Sequence, residues 1–252
     1  MKVQRSQALA APERKNAPEA GKGAVQAVAH GDPNYNLLGQ RLGRKGRDTR
    51  ERILAATTRL LAEPGDAAIS LSSVAREASL AMTTLYLYFS DLTELLLAVL
   101  DPVMASAEEG YVASLRERWP DDSLNEHCVG FVSAYFRFWA ANSRILHLRN
   151  SYADQQDARM IHHRIKASLS MIGLLVRQMD GDPSDKNSRP YGMATVLLTG
   201  IERLLTIATD ANLPELLDRD VSLNVSNVLM AEARLLELGI RDCRSLVEHK
   251  TA

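Results

Sequence analysis

The 252-residue sequence predicts an all-α protein: a small basic helical module followed by a larger helical body. Three observations predict it. From residue 48 onward apolar residues recur at helical spacing, and no stretch alternates at a strand's period of two. Breaks fall at Pro64-Gly65, Pro120-Asp121-Asp122 and Gly181–Ser188, with no internal repeat of fixed period. Charge is unevenly divided: of 30 Lys+Arg and 31 Asp+Glu, residues 1–60 hold 12 basic and 5 acidic. A basic end on an acidic body suits an end that meets a polyanion. A basic tail that only keeps the chain soluble fits the same numbers.

Composition narrows the class. A hydrophobic fraction of 46% with net charge −1 excludes a wholly disordered chain. Two lone cysteines, Cys128 and Cys243, exclude a disulfide scaffold and suit a reducing compartment. The longest apolar run, Leu95–Leu100, is far below the ~20 residues a membrane span requires. The N-terminus lacks the apolar core of a signal peptide. The expectation is a soluble, cytoplasmic protein with no membrane association.

The elements follow in order. Residues 1–40, rich in Ala, Gly and Pro without a period, read as a largely disordered extension, within which Tyr35, Leu37 and Leu38 could dock. Residues 41–52 (RLGRKGRDTRER) form a basic arm kept flexible by Gly43 and Gly46. A first helix begins at Asp48, with Glu51 in capping-box position, and sets Ile53, Leu54, Thr57, Leu60 and Leu61 on one face. Ser70 caps a second helix with Leu71, Val74, Ala75 and Ala78 on one face. Met82–Phe89 makes a third. Three short helices so close together form a helix-turn-helix arrangement. The body follows: Asp91–Arg118, kinked at Pro102, then Ser123–Asn142, Ser143–Tyr152, Asp154–Met179, Arg189–Ala211 and Val221–Leu238. The organisation is therefore 1–40 extension, 41–90 basic arm and helix-turn-helix, 91–252 helical body.

The stretch Thr49–Leu97 resembles the DNA-binding domain of the tetracycline-repressor (TetR) family. The matching residues are TRERILAATTRLLAEPG, then ISLSSVAREASL, then TTLYLYFSDLTELLLAV. The Thr84-Leu85-Tyr86-x-Tyr-Phe run before an acidic, Leu-rich helix is the most specific part. The resemblance covers about a fifth of the chain, without a gap. It implies a homodimeric, ligand-responsive transcriptional repressor. Its last two helices, Arg189–Ala211 and Val221–Leu238, would pair across the dimer axis. Met193, Val196, Leu197, Gly200, Ile201 and Leu204 would face Val225, Val228, Leu229, Leu235 and Leu236, and small Gly200, Ala194 and Ala231 would permit close approach.

The resemblance also implies the DNA-binding residues. Met82–Tyr88 would lie in the major groove. Thr84, Tyr86 and Tyr88 offer hydroxyls to phosphates, Met82 and Leu87 offer apolar contact to thymine methyls, and Thr83 belongs to the same DNA-binding segment. Ser72 and Ser73 open the second helix, and Thr49 would bond a phosphate near the first helix N-terminus. The sequence departs from the family here. Ala81-Met82-Thr83 replaces a common Ser-Lys-Gly, Leu87 replaces a polar or aromatic residue, Leu92 replaces a Lys, and Ser79 replaces a turn Gly. The recognition segment has no Lys, Arg or His. Either Arg41, Arg44, Lys45 and Arg47 of the arm supply affinity, entering a neighbouring minor groove, while the helix reads shape and methyl groups, or sequence-specific DNA binding is lost and a sensor or interaction protein remains.

For an effector, the expectation is a mostly apolar pocket with a few polar groups. Phe131, Tyr135, Phe138 and Trp139 lie along one helix face, with His147, Arg149, Tyr152, His163 and Met171 nearby in sequence. The same aromatics suit plain core packing. The ligand would be apolar or aromatic, with Arg149 or a histidine taking a carboxylate or hydroxyl. His162-His163 point ~100° apart on a helix, with no further ligand at metal spacing. No phosphate loop, nucleophile elbow, zinc pattern or catalytic carboxylate pair proposes a reaction. The reading is of a non-enzyme without metal or cofactor.

Overall fold

The structure, a computed structural model, describes residues 34–63, 68–210 and 224–251. Regular structure there is helical: α1 (Arg44–Ala62), α2 (Leu71–Glu77), α3 (Met82–Leu85), α4 (Leu92–Ala107), α5 (Leu124–Ala141), α6 (Ser143–Asp154), α7 (Ala158–Gln178), α8 (Arg189–Ala208) and α9 (Val225–Thr251). Among the described residues the one β feature is an isolated bridge between Tyr35 and Arg41. Residues 1–33 of the extension expected at 1–40, and the stop expected at Pro64-Gly65, lie outside the described residues.

Residues 34–42 correct the expected disorder of the extension's end. They close into a turn in which Leu42 N–H donates to Asn34 O at 2.7 Å. The Asn36 carboxamide oxygen accepts from the Leu38 and Gln40 amides. Gly39, at φ 73°, takes the left-handed corner that a side chain resists. The Leu37 amide then donates to Leu87 O at 2.9 Å.

The basic arm is a second correction. Helix α1 starts at Arg44, a turn ahead of Asp48, and Gly43 is its N-cap without a side-chain bond. Leu42 is the physical reason. It is buried and anchors the chain's entry, a Gly46 Cβ would stand 3.0 Å from its Cδ2, and Arg47 Nη1 donates to its carbonyl at 2.9 Å. Arg44, Lys45 and Arg47 are thus helical, not flexible.

Helix α2 begins as expected. The Ser70 hydroxyl accepts from Ser73 N–H at 3.1 Å, and the Ser73 hydroxyl accepts from Ser70 N–H at 3.0 Å. Ser79 turns the chain at φ 53°. Helix α3 is only one turn, shorter than the expected Met82–Phe89, and Tyr86–Tyr88 continue as hydrogen-bonded turns. Ile53, Val74, Ala75, Leu85, Phe89 and Leu95 form this head's core. Each large apolar side chain buried there contributes about 1.5–3 kcal/mol.

Helix α4 serves two cores. Leu95 enters the head, while Leu96, Val99 and Leu100 enter the body. The helix continues past exposed Pro102 to Ala107. The expected Asp91–Arg118 helix changes register later, in a π-helical turn over Glu108–Val112 and a 3-10 turn over Ala113–Leu115. This turn brings Tyr111 against Tyr135, ring centroids 4.2 Å apart. Phe131, Phe138, Trp119 and Trp139 complete an aromatic centre.

Helices α5 to α9 pack around that centre. Gly239 allows α9 to meet α8, since a Cβ there would lie 2.7 Å from Leu197 Cδ1. Helix α8 is long and apolar enough to cross a membrane by length and hydropathy alone, but Ala194, Leu198, Ile201 and Leu205 are core residues of the bundle. The expected pairing face therefore divides. Ala194, Ile201 and Leu236 point inward, whereas Val196 (71% exposed), Leu235 (53%), Gly200 and Ala231 face out, joined by Met230 and Leu238.

Head and body are joined by polar ties. Arg144 Nη1 of α6 donates to Leu60 O and Glu63 O, at 2.7 and 2.8 Å, closing the end of α1. Thr93 Oγ1 donates to Asp157 Oδ2 at 2.9 Å, and Arg159 pairs with Asp91 at 2.9 Å. The starts of α4 and α7 are thereby held together.

Candidate nucleic-acid interface and body cavity

The first turn of α1 concentrates positive charge where a helix already carries it. Arg44, Lys45 and Arg47 are exposed, and no acidic residue lies in that turn. Cations at a helix N-terminus are unfavourable by roughly 0.3–1 kcal/mol each, and an anion there is favoured. The arrangement is costly alone and becomes favourable against phosphate. Thr49 lies one turn further on, its hydroxyl donating to Lys45 O at 2.9 Å. It stands apart from the helix N-terminus that was expected to assist it.

The other predicted DNA contacts differ in exposure. Thr83, Tyr86 (49% exposed) and Leu87 (40%) project from the α3 segment. Met82 and Tyr88 are half-buried and pack against the head core, and Thr84 is half-buried. Ser72 is exposed. Ser73 is engaged instead in the α2 cap, its hydroxyl donating to Ser70 O at 2.8 Å. The scaffold beneath is braced by Arg52 Nη2 donating to Ala78 O at 2.7 Å, by an Arg59–Glu77 pair at 2.8 Å, and by Arg50 over the Phe89 ring at 5.4 Å.

The predicted effector residues separate. Tyr135, Phe138, Trp139, Arg149 and Met171 line a cavity of about 160 Å³ in the body. Phe131 does not line it; it packs against Trp119 and Tyr135. His147 meets Thr209 Oγ1 at 3.1 Å and the Trp139 edge. Thr209 already donates to Leu205 O, so the imidazole is the donor. Tyr152 is half-buried and packs on the body core outside the cavity. His163 lines a separate cleft of about 740 Å³ between head and body, with Arg50, Asp101 and Lys166. Burial, followed by the Arg149 charge, lowers its pKa.

The cavity holds residues that sequence reasoning missed: Met104, Glu108, Tyr111 and Glu202. Glu202 carried a signal, a carboxylate between core residues Ile201 and Leu205 of an apolar helix. Its Oε1 accepts from Tyr135 Oη at 3.1 Å and from Ser168 Oγ at 3.3 Å. Burial raises its pKa above the usual carboxylate range, against the pull of Arg149. Arg149 is itself buried beside Trp139, and two of its nitrogens donate to Asn150 Oδ1. Burial lowers its pKa. No Arg149 nitrogen comes within 4.0 Å of a Glu202 oxygen. Burial pushes the Tyr111 phenol up to about 12 and raises Tyr135 as well, so both remain proton donors. Among the described residues no three His, Cys, Asp or Glu cluster as metal ligands.

Comparison with known proteins bears on the head. Residues 53–99 match the family model described as bacterial regulatory proteins, tetR family. Among solved structures, the chain is similar to a transcriptional regulator of the TetR/AcrR family from Thermobifida fusca. That match has 19% identity and a TM-score of 0.47, over 75% of this chain and 97% of the other. No curated protein matches the chain.

Proposed function

Because this chain belongs, through its N-terminal domain, to the tetR family of bacterial regulatory proteins, we propose that it is a cytoplasmic homodimeric repressor released from operator DNA by a small molecule. The observation that carries DNA binding is the α1 start, where three exposed cations crowd a helix N-terminus with no acidic neighbour in the turn. Residues 41–90 are the reading head in this proposal, and 91–252 the dimerising, effector-binding body. Arg44, Lys45 and Arg47 contact phosphates from a rigid helix. Thr83, Tyr86, Leu87 and Ser72 meet the groove, with Met82, Thr84 and Tyr88 at its edge. The recognition segment offers no bidentate guanine reader, so specificity comes from methyl contacts and DNA shape.

The outward stripe of Val196, Met230, Leu235 and Leu238 supports pairing of two copies through α8 and α9. Side chains this apolar on neighbouring helices favour a covered face. Two heads on one symmetric dimer read two half-sites. An effector in the body cavity would favour one head spacing over another and so lower DNA affinity. Helix α4 is the natural link, since its side chains enter both cores.

The test is selection of binding sites from random duplex DNA by purified full-length protein, repeated at two salt concentrations. An enriched palindrome with a steep salt slope is expected. The uncharged recognition segment favours one other reading, a sensor that has lost sequence-specific binding. Absence of enrichment, also after unfolding and refolding to strip bound ligand, would establish that reading instead.

A further inference from the structure

We infer that the body cavity takes a single-ring aromatic molecule with a hydrogen-bond donor at one end and an acceptor, such as a carboxylate, at the other. The ligand would be held between Glu202 and Arg149. This rests on the effector-binding role proposed above.

Size sets the first limit. A cavity of about 160 Å³ is close to the ~150 Å³ of an apolar cavity that holds benzene, so one ring fits and a fused polycycle does not. The walls suit a ring: Tyr111, Tyr135, Phe138 and Trp139 present π faces and edges, and Met104 and Met171 adapt to its outline.

Polarity sets the second limit. An apolar cavity for benzene carries no charge, whereas three charged side chains line this one; Glu108 is already paired with Arg116, which leaves Glu202 and Arg149. Glu202 receives only hydroxyl donors, from Tyr135 and Ser168. Arg149 has five N–H donors, and among the described residues only Asn150 takes any of them. The two side chains line one cavity without meeting in an ion pair. Buried charges are stable when paired and hydrogen-bonded. A ligand that donates to the Glu202 carboxylate and accepts from the Arg149 guanidinium completes both. A benzoate lacking a donor would leave Glu202 uncompensated beside a second anion. An aniline lacking an acceptor would leave Arg149 so. Toluene would fill the space and satisfy neither.

Isothermal titration of the full-length protein with 4-aminobenzoate, benzoate, aniline and toluene tests this. The expected order places 4-aminobenzoate at least tenfold tighter than each of the others. In Glu202→Gln, the advantage of 4-aminobenzoate over benzoate should collapse to within about threefold. In Arg149→Met, aniline should overtake benzoate. A purely structural role for Glu202 would weaken all four probes alike. Equal affinities, preference for toluene, or no binding by any probe would overturn the inference. Circular dichroism and thermal melting confirm that each variant folds, and a variant that fails is replaced by Ser168→Ala, which should loosen 4-aminobenzoate selectively by weakening the set of Glu202. DNA release is read separately. If the probe order holds and DNA stays bound, the cavity assignment stands and the effector reading fails. If DNA is released by other molecules and no probe binds, the effector reading stands and this inference fails.

Discussion

Replacing Arg44, Lys45 and Arg47 with glutamine should weaken binding to every DNA sequence alike and flatten its salt dependence. Each phosphate neutralised contributes about 0.9 to the slope of log affinity against log salt. Three contacts per protomer, doubled in the proposed dimer, amount to a slope loss of about 5. Between 50 and 200 mM salt the wild-type protein should therefore lose about a thousandfold more affinity than the variant. Stability should move the other way. Relieving two exposed cations at the α1 N-terminus should stabilise an Arg44→Gln, Lys45→Gln variant by roughly 0.6–2 kcal/mol. Arg47→Gln relieves a third cation but removes a hydrogen bond to Leu42 O, worth about 0.5–1.5 kcal/mol, so the triple variant should sit close to the double one. Fluorescence anisotropy with operator and random duplex at four salt concentrations gives the slope, and urea titration gives the stability. An unchanged slope, or a double variant less stable than wild type, would refute the placement of phosphate at this helix start.

Three further outcomes are expected. Ser79 holds φ 53°, which costs a residue with a side chain about 1–2 kcal/mol, so Ser79→Gly should raise the urea midpoint and leave DNA affinity unchanged. The Glu237 carboxyl is held at about 2, first by Asn125 and then by Arg241 and Arg234, against desolvation. A depressed folded pKa stabilises above the unfolded value of about 4.3 and fades as pH falls toward 2. The stability gap between wild type and Glu237→Gln should therefore be full at pH 6 and shrink below pH 4, as measured by urea unfolding. Leu235→Glu, on the outward face of α9, should leave the helical signal intact and split the proposed dimer, halving the mass seen by sedimentation.

The helices were largely legible because their apolar spacing is regular: Val74, Ala75 and Ala78 announced α2, and all three are buried. The start of α1 was misread because Asp48 and Glu51 imitate a capping box, while the residue that fixes the entry is Leu42, an apolar anchor outside the repeat. The short α3 could not be measured from its sequence, since Tyr86–Tyr88 keep helical hydrogen-bond spacing only loosely. Half of the cavity was invisible for a related reason. Tyr135, Phe138 and Trp139 advertise an aromatic face, but Tyr111 and Glu108 reach them only through the π-helical turn. His147 and His163 drew attention as polar residues near aromatics, yet sequence distance does not tell which side of α6 or α7 faces inward. Adjacent residues there point about 100° apart.

That π-helical turn makes the cavity depend on counting. Ala107, Tyr111 and Leu115 are buried at intervals of four residues. On a straight α-helix each such step drifts by about 40° around the axis, so Leu115 would stand well off the line of Ala107. The wider ring over Glu108–Val112 absorbs the drift with a surplus residue. Deleting one residue from this segment would remove that surplus position. It would let the helix run true and swing Tyr111 off its stack with Tyr135, so the chain could shorten by one and keep its fold while its pocket wall was rewritten.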